Sequence, residues 1–413
     1  MEVLQKILDA GGKLYQVGGC VRDSLMGLKP HDIDYCITGL TVEKVLELFP
    51  DAEITGKDFP VFRINGDEYA LARSEKKNGI GYKGFEIYTS PDITIEQDLA
   101  RRDLTINAMA RDMETGKIID PYGGQRDLKK GIIRATTKAF AEDPLRVYRA
   151  ARFSAKYNFH IESDTLKMMH TLKDELHTLP AERVFEETRK ALNTDTPSRY
   201  FRALAQADVL DVHFKELNDL RGIPQPEKYH PEGDAFEHTM LVLDSMAKET
   251  KNEELRFSAL VHDLGKATTP KEILPHHFGH DKRGPELVKS FCERIKAPKT
   301  WEKCGISAAE YHMQGQRFME MRPGKKVTFL ENIDKTPLKA DGIAKIIDVD
   351  TSHKAKTKYI KKYSEKMFSE INGKTIKINA KGPAFAEKLH EMRVQWMAKM
   401  VQSETVLQCY KNN

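Results

Sequence analysis

Cysteine is scarce in this chain of 413 residues: there are five, at positions 20, 36, 292, 304 and 409, and no two form a Cys-x-x-Cys pair. An odd, scattered set excludes a disulfide framework and a zinc knuckle and points to a reducing compartment. Long apolar runs are missing too. Charged residues interrupt every stretch that could span a bilayer, and Glu2, Lys6 and Asp9 make the N-terminus wrong for a signal peptide. The expectation is a cytoplasmic protein with no membrane partner. Net charge is small as well, 66 Lys and Arg against 62 acids, so composition alone selects no polyanionic partner, although a local basic face would suffice. Residues 351–413 offer such a stretch, 13 Lys/Arg against 5 Asp/Glu, for which a solvated helical surface accounts about as well. There is no internal repeat and no low-complexity tract. The length favours two to four domains, each able to bury a sizeable core.

What is present centres on Val17 to Thr38, which runs Val17-Gly18-Gly19-Cys20-Val21-Arg22-Asp23 and then His31-Asp32-Ile33-Asp34-Tyr35. Leu14 to Val17 has the pattern of a short strand. The glycine pair permits a turn with close backbone approach, and the residues after it can open a helix whose free N–H groups face an anion. Asp32 and Asp34, two apart among Ile33, Tyr35, Cys36 and Ile37, put both carboxylates on one face of a strand. Two hard oxygen ligands converging there suit Mg²⁺ held between protein and phosphates, the arrangement for in-line displacement at phosphorus. A glycine pair alone is usually only a turn, and an Asp-x-Asp alone only a solvated pair. Their ordered conjunction with Arg22 is what points to chemistry.

On these residues the sequence resembles the polymerase β superfamily of nucleotidyltransferases, and Gly-Gly-x-Val-Arg-Asp resembles the class II tRNA nucleotidyltransferases, the CCA-adding enzymes and their poly(A) polymerase relatives. The resemblance continues through Gly56-Lys57-Asp58-Phe59-Pro60-Val61-Phe62, Glu68 to Arg73 and Gly81 to Phe85, with Ser74 to Ile80 reading as a mobile polar loop between them. Glu96 to Ala110 has apolar Leu99, Ile106 and Met109 at the spacing of a helix buried on one side. Its Arg101-Arg102-Asp103-Leu104-Thr105-Ile106-Asn107-Ala108 matches the second family signature, which implies that Arg102, with Arg101 close behind, contacts the nucleotide triphosphate.

Ala139 to Tyr157 reads as a helix that begins after Glu142-Asp143, with Pro144 in its first turn. Asp143, Arg146, Arg149 and Arg152 recur every three residues and form a polar stripe, ordinarily a solvated, salt-bridged face. The resemblance gives Asp143 and Arg146 another role, reading the base of the incoming nucleotide, with Arg149 and Arg152 in the same pocket. The role is physically sound. A carboxylate and a guanidinium can pair with the amine donor and adjacent acceptors of cytosine or adenine, whereas guanine and uracil would mismatch at about 1 to 3 kcal/mol per bond. Arg183 and Glu187, in Glu182-Arg183-Val184-Phe185-Glu186-Glu187, match a further motif that implies a structural buttress. The family likeness assigns Gly19, Arg22 and Arg102 to the phosphates, and Asp32 and Asp34 to Mg²⁺.

A different chemistry starts beyond the proline-rich linker Arg221 to Pro231. His238 lies in an apolar-patterned stretch and the doublet His262-Asp263 follows, with His276, His277, His280 and Asp281 in a loop after it. A lone helical histidine is usually a core residue; this succession is not explained by packing, and an imidazole–carboxylate set suits Ni²⁺, Mn²⁺, Co²⁺ or Zn²⁺ better than Mg²⁺. It resembles the HD phosphohydrolase domain that follows the polymerase part in some bacterial CCA-adding enzymes and cleaves phosphomonoesters and cyclic phosphates. The resemblance implies a site of His238, His262, Asp263 and His277, and a final aspartate for which Asp334, Asp348 and Asp350 all qualify.

The expected fold is α+β: a nucleotidyltransferase head with a mixed sheet (1–138), an all-α neck and body (139–222), an HD domain (223–336) and a basic helical tail (337–413). The expected activity is addition of CCA to tRNA from CTP and ATP, plus metal-dependent phosphohydrolysis. The alternatives are a poly(A) polymerase, a partial CC- or A-adding enzyme, an HD phosphohydrolase whose head senses nucleotides, and a non-catalytic tRNA-binding module. Monomer and homodimer are both compatible with the sequence.

Overall fold

The computed structural model describes residues 2–30, 32–56, 60–77, 85–228, 230–351, 354–376 and 381–411. The chain divides into two compact units, one made of Met1–Ala191 and Arg199–Val212, the other of Leu192–Ser198 and His213–Asn413.

The first unit is built on a mixed sheet of seven strands. Along the chain the strands are β1 (Lys13–Val17), β2 (Asp34–Thr38), β3 (Glu53–Thr55), β4 (Val61–Ile64), β5 (Asp67–Leu71), β6 (Arg73–Lys77), β7 (Phe85–Thr89), β8 (Ala110–Asp112) and β9 (Ile118–Ile119). The sheet order is β3-β4-β5-β2-β1-β8-β9, with β6 and β7 forming a separate antiparallel ribbon. Only β2 and β5 run parallel; the other pairs in the large sheet are antiparallel. Alternation along the strands sorts the core. Leu14 and its cross-strand partner Ile37 face one side with Val45, Phe49, Phe62 and Leu71, while Tyr15, Val17 and Cys36 face the other with Ile95, Leu99 and Ala110.

Several expectations from sequence are corrected. Asp32 lies two residues before β2 rather than on it. Glu68 to Arg73 is split at Ala72 between β5 and β6, and the expected loop from Ser74 is strand as far as Lys77; residues 57–59 and 78–84 lie outside the described residues. The single helix expected from Glu96 ends at Ala100, and a turn at Arg101–Asp103 leads into a short 3-10 helix at Thr105–Asn107. The charges of Arg-Arg-Asp, which interrupt the apolar pattern, occupy that turn. The expected helix from Ala139 is a 3-10 segment, Lys138–Glu142, followed by an α-helix, Leu145–Tyr157, whose first amide donates to Asp143 Oδ1 at 2.9 Å.

The second unit is helical. Helices Ala235–Glu249, Glu253–Val261, His280–Ile295, Lys299–Gln316, Pro323–Asp334 and Lys339–Thr351 are followed by Lys354–Glu370 and Pro383–Lys411. His280 and Asp281, expected in a loop, open a helix. One core joins Val242, Leu255, Ala308, Phe329 and Ile347 to Ile360, Tyr363, Met367 and Met397. The basic tail therefore has an apolar inner face, and Lys358, Lys362 and Lys366 recur every four residues on its exposed side. Among the described residues no helix is long and apolar enough to cross a membrane.

Arg256 anchors this unit. It is fully buried, and its guanidinium donates to Thr250 O at 2.7 Å, Leu192 O at 2.5 Å, Thr194 O at 2.8 Å and Ala247 O at 2.7 Å. An uncharged side chain there would strand four buried acceptors. Arg256→Met should lower stability by on the order of 3 kcal/mol, with Arg256→Lys intermediate. Urea unfolding followed by tryptophan fluorescence checks this, because both tryptophans, Trp301 and Trp396, lie in this unit.

Candidate active sites

In the first unit β1 ends at Val17 and the chain turns through Gly18, with φ 74° and ψ −125°, into the helix Gly19–Leu25. Gly18 is required twice over: positive φ disfavours a side chain, and a Cβ would lie 2.7 Å from Arg102 Nη1. The turn thereby brings the Arg102 guanidinium against the first helical residues. Asp98, almost fully buried, holds that arginine and its neighbour: Oδ2 accepts from Arg102 Nε at 3.3 Å and Nη2 at 3.1 Å, and Oδ1 from Arg101 Nε at 3.1 Å and Nη2 at 2.6 Å. Burial would raise the Asp98 carboxyl; Arg102 and Arg101 outweigh it and hold it below the ordinary range.

The rest of the second signature is a relay. Asp103 accepts from Arg149 Nε at 2.8 Å and from Asn107 Nδ2 at 3.0 Å, and Asn107 Oδ1 in turn accepts from Arg22. Arg22 also donates to Asp23 at 2.9 Å. Burial favours the neutral Asp103 carboxyl, but Arg149 and Asn107 depress it. On the helix Leu145–Tyr157, Arg146 donates to Ala139 O at 2.6 Å and Arg152 pairs with Glu187. Phe153 lies beneath three guanidiniums, 4.2 Å from Arg152, 5.3 Å from Arg22 and 5.7 Å from Arg149.

These groups bound a cleft of about 530 Å³. Gly18, Gly19, Arg22, Asp34 and Arg102 line it together with Asp143, Arg146, Arg149, Arg152 and Arg183. Arg146 is buried in the cleft wall, unlike a residue of an ordinary solvated stripe. The parallel register sets Glu68 opposite Asp34. Desolvation holds the Asp34 carboxyl above its ordinary range; Arg102 opposes this, and Glu68 and Asp32 reinforce it. Three mutually repelling carboxylates beside a cationic cleft fit a hard divalent cation, which would remove the repulsion.

The second site lies in the other unit. His238 comes from the helix Ala235–Glu249, His262 and Asp263 from the end of Glu253–Val261, and Asp350 from Lys339–Thr351. One ligand atom from each lies within 4.8 Å of the others. His238 Nε2 is 2.9 Å from Asp350 Oδ1 and 3.6 Å from Asp263 Oδ2, and His262 Nε2 is 3.3 Å from Asp263 Oδ2. Asp263 turns its other oxygen to His280 Nε2 at 3.2 Å and His312 Nε2 at 3.4 Å. Each imidazole is oriented through Nδ1: His238 by Glu232 at 2.7 Å, His262 by Ala259 O at 2.8 Å, His280 by His277 O at 2.6 Å and His312 by Ala308 O at 2.9 Å.

Burial alone would lower the His262 imidazole; Asp263 and Asp350 outweigh it and push it up to about 10. His262 Nε2 and Asp263 Oδ1 are buried and make no well-formed hydrogen bond. Imidazole nitrogens and carboxylate oxygens gathered in one buried spot, two of them without a hydrogen bond and the rings oriented from behind, fit a bound transition-metal ion, although Lys266 Nζ already lies 2.6 Å from Asp263 Oδ2. His277 does not join them. Its Nδ1 pairs with Thr269 Oγ1 at 2.9 Å and its Nε2 with Pro224 O at 3.0 Å, and burial lowers it to about 4. Of the three aspartates open from sequence, Asp350 completes the cluster. His312 was missed; a single histidine in the apolar-lined helix Lys299–Gln316 was its only signal. Gly265 permits the assembly, since a Cβ would sit 2.0 Å from His280 O.

Residues 14–134 match the family described as Poly A polymerase head domain, residues 158–220 that described as Probable RNA and SrmB- binding site of polymerase A, and residues 235–349 the HD domain. The chain is 47% identical over 336 residues to the Multifunctional CCA protein of Haemophilus influenzae (strain PittGG), covering 78% of this chain and 80% of that protein. It is 44% identical over 326 residues to the protein of the same name from Nitrosococcus oceani, with the same coverage. Among solved structures, a CCA-adding enzyme in complex with ATP superposes with a TM-score of 0.64 at 20% identity, over 99% of this chain and 94% of that one. The Thermotoga maritima CCA-adding enzyme complexed with tRNA_CCA gives 0.62 at 20% identity, over 98% and 94%. At that identity the structural likeness is one of fold.

Two outcomes are expected from this geometry. Gly265→Ala should push the helix His280–Ile295 away from Asp263 and reduce bound transition metal, measured by elemental analysis, with helical content by circular dichroism retained. Asp98 and Asp103 contribute stability that is fully present above the ordinary carboxylate range and is lost as pH falls through their depressed folded values. Asp98→Asn should therefore cost on the order of 3 kcal/mol of local stability at neutral pH and weaken the acid dependence, read by hydrogen exchange over residues 95–107.

Proposed function

This chain belongs to the family of multifunctional CCA proteins, and on that footing we propose that it is a nucleotidyltransferase that builds the CCA end of tRNA, joining C, C and A to the 3′ end from CTP and ATP with release of pyrophosphate. The observation that carries this reading is the single cleft shared by Asp34, the glycine turn and the arginines of the helix Leu145–Tyr157. Asp32 and Asp34, with Glu68 beside Asp34, would hold Mg²⁺, which when bound would offset the charge of the triphosphate and make the 3′-hydroxyl of tRNA a better nucleophile. Gly19, Arg22 and Arg102 bind the phosphates, and the aligned hydroxyl displaces pyrophosphate from the α-phosphorus. Asp143 and Arg146 hydrogen-bond the base of CTP or ATP, with Arg149 and Arg152 in the same pocket. Backbone bonds hold both readers in one orientation, as selecting a hydrogen-bond pattern requires. A protein template thus stands where a polymerase has a nucleic-acid one.

The second unit is the metal-dependent phosphohydrolase of this reading, acting on phosphomonoesters and 2′,3′-cyclic phosphates. His238, His262, Asp263 and Asp350 hold Ni²⁺ or another transition ion, which when bound polarises the phosphate and acidifies a water. Asp263, His280 and His312 form a further ligand group sharing that aspartate, and would hold a second ion. Residues 1–138 are then the head, 139–222 the neck and body, and 223–336 the hydrolase with the helix that carries Asp350. The basic side of the tail holds tRNA through its backbone, a salt-sensitive contact without base reading. The activity belongs to the cytoplasm.

Transcripts of tRNA lacking one, two or three terminal nucleotides, incubated with CTP and ATP, test the reading. Full CCA restoration is expected; unlimited A tails would make the protein a poly(A) polymerase, and addition of only C or only A a partial enzyme. Asp32→Ala and Asp34→Ala should each abolish addition with tRNA binding nearly intact, and normal addition by either removes the central claim. His262→Ala should lose phosphate release from 2′,3′-cyclic AMP with Ni²⁺ while keeping CCA addition. Release without any CTP incorporation by the wild type would instead make the head a nucleotide sensor.

A further inference from the structure

The cavity around the histidine–aspartate cluster measures about 1010 Å³, far more than a phosphate group needs and at the upper end for small-molecule sites. Its walls differ in character. Asp263, Lys266 and Asp350 supply charge in the depth of the cavity, while its remaining lining includes apolar surface that a phosphate would not use. Among the described residues, Leu241 at 47% and Phe278 at 69% are the only large hydrophobic side chains exposed in this unit, and both line this cavity. The His276 ring lies against Phe278 with centroids 5.6 Å apart and planes 20° from parallel. Phe278 is also tied to the cluster by sequence: Gly279, with φ 75°, turns the chain directly from it into the helix that begins with His280. The ring thus lines the same cavity two residues before His280, whose Nε2 faces Asp263.

We propose that Phe278, backed by His276, is a stacking platform for the base of a nucleotide whose phosphate lies at the cluster, and that it gives this site its preference for nucleoside phosphates over phosphate esters without an aromatic group. The inference rests on the phosphohydrolase reading and names the residue that selects its substrate. Phe278 offers a π face and no hydrogen-bonding edge, so it recognises that a base is present rather than which base it is. Adenine and cytosine nucleotides should be taken about equally, in contrast to the head, where a carboxylate and a guanidinium read the base edge.

The test is calorimetric titration of the full chain with 2′-AMP and, separately, with ribose 2-phosphate, which keeps the sugar phosphate and lacks the base. In Phe278→Ala the preference for 2′-AMP over ribose 2-phosphate should fall by about 5- to 100-fold; Phe278→Tyr should keep it, and Phe278→Leu, apolar without a ring, should lose most of it. Equal weakening of both ligands, or none, overturns the platform, as does a Leu variant that behaves like wild type. Phosphate release from the same two compounds is measured in parallel. If neither is hydrolysed while binding still depends on the ring, the hydrolase reading fails and the platform stands; if both are hydrolysed and the preference ignores position 278, the platform alone fails.

Discussion

Arg22, Arg101, Arg102, Arg146, Arg149, Arg152 and Arg183 share one cleft, and seven guanidiniums so close would drive one another apart without the acids behind them. Asp98 takes Arg101 and Arg102, Asp103 takes Arg149, Glu187 takes Arg152, and Asp23 with Asn107 takes Arg22. Such pairs add little net stability once desolvation is counted. Their effect is geometric: each acid grips its arginine from the protein side, so the cationic surfaces turned to the cleft keep fixed positions. Phe153 completes the scheme by giving three of them an apolar face to rest on. Everything asked of the cleft, holding a triphosphate and reading a base, depends on this backing.

The second unit meets the opposite problem with the same device. There the inward-facing groups are carboxylates and imidazole nitrogens that have lost water, and the fixing contacts come from Glu232 and backbone carbonyls on the far ring nitrogens. Against the burial that would lower it, Asp263 and Asp350 raise the proton affinity of His262, and a bound cation would answer the same excess of negative charge. The two sites thus differ in the hardness of their donor atoms, oxygen in one against mixed nitrogen and oxygen in the other.

Much of this was legible in the sequence wherever the signal was local. The alternation of Leu14 to Val17, the glycine pair, the Asp-x-Asp and the arginine spacing after Asp143 all lie within a few residues of what they specify. Partners brought by tertiary pairing left no such mark. Glu68 meets Asp34 only through a parallel strand pairing, and nothing in the sequence marks Asp98 as the buried partner of Arg101 and Arg102 or joins Asn107, although it lies in the second signature, to Arg22. The turn at Arg101–Asp103 explains why a helix was expected from Glu96 onward: the apolar spacing of Leu99, Ile106 and Met109 is helical, but the arginines must leave the helix to reach Gly18. His277 misled for a related reason, since proximity in sequence to other histidines says nothing about where ring nitrogens point. His312, embedded in the helix Lys299–Gln316, carried the needed nitrogen instead.

The order in which parts of the chain leave the ribosome gives the two sites different histories. Every residue lining the arginine cleft lies between Gly18 and Arg183, so its complement is already synthesised before the first histidine of the second unit is translated. The metal cluster, by contrast, waits for Asp350, and the apolar core of its unit waits for Met397 in the last helix. A nascent chain therefore carries all the side chains of its arginine cleft long before it can complete the histidine–aspartate cluster, and a chain ended before Asp350 would leave His238, His262 and Asp263 without the fourth member of that cluster and without the last helix of the core that supports it.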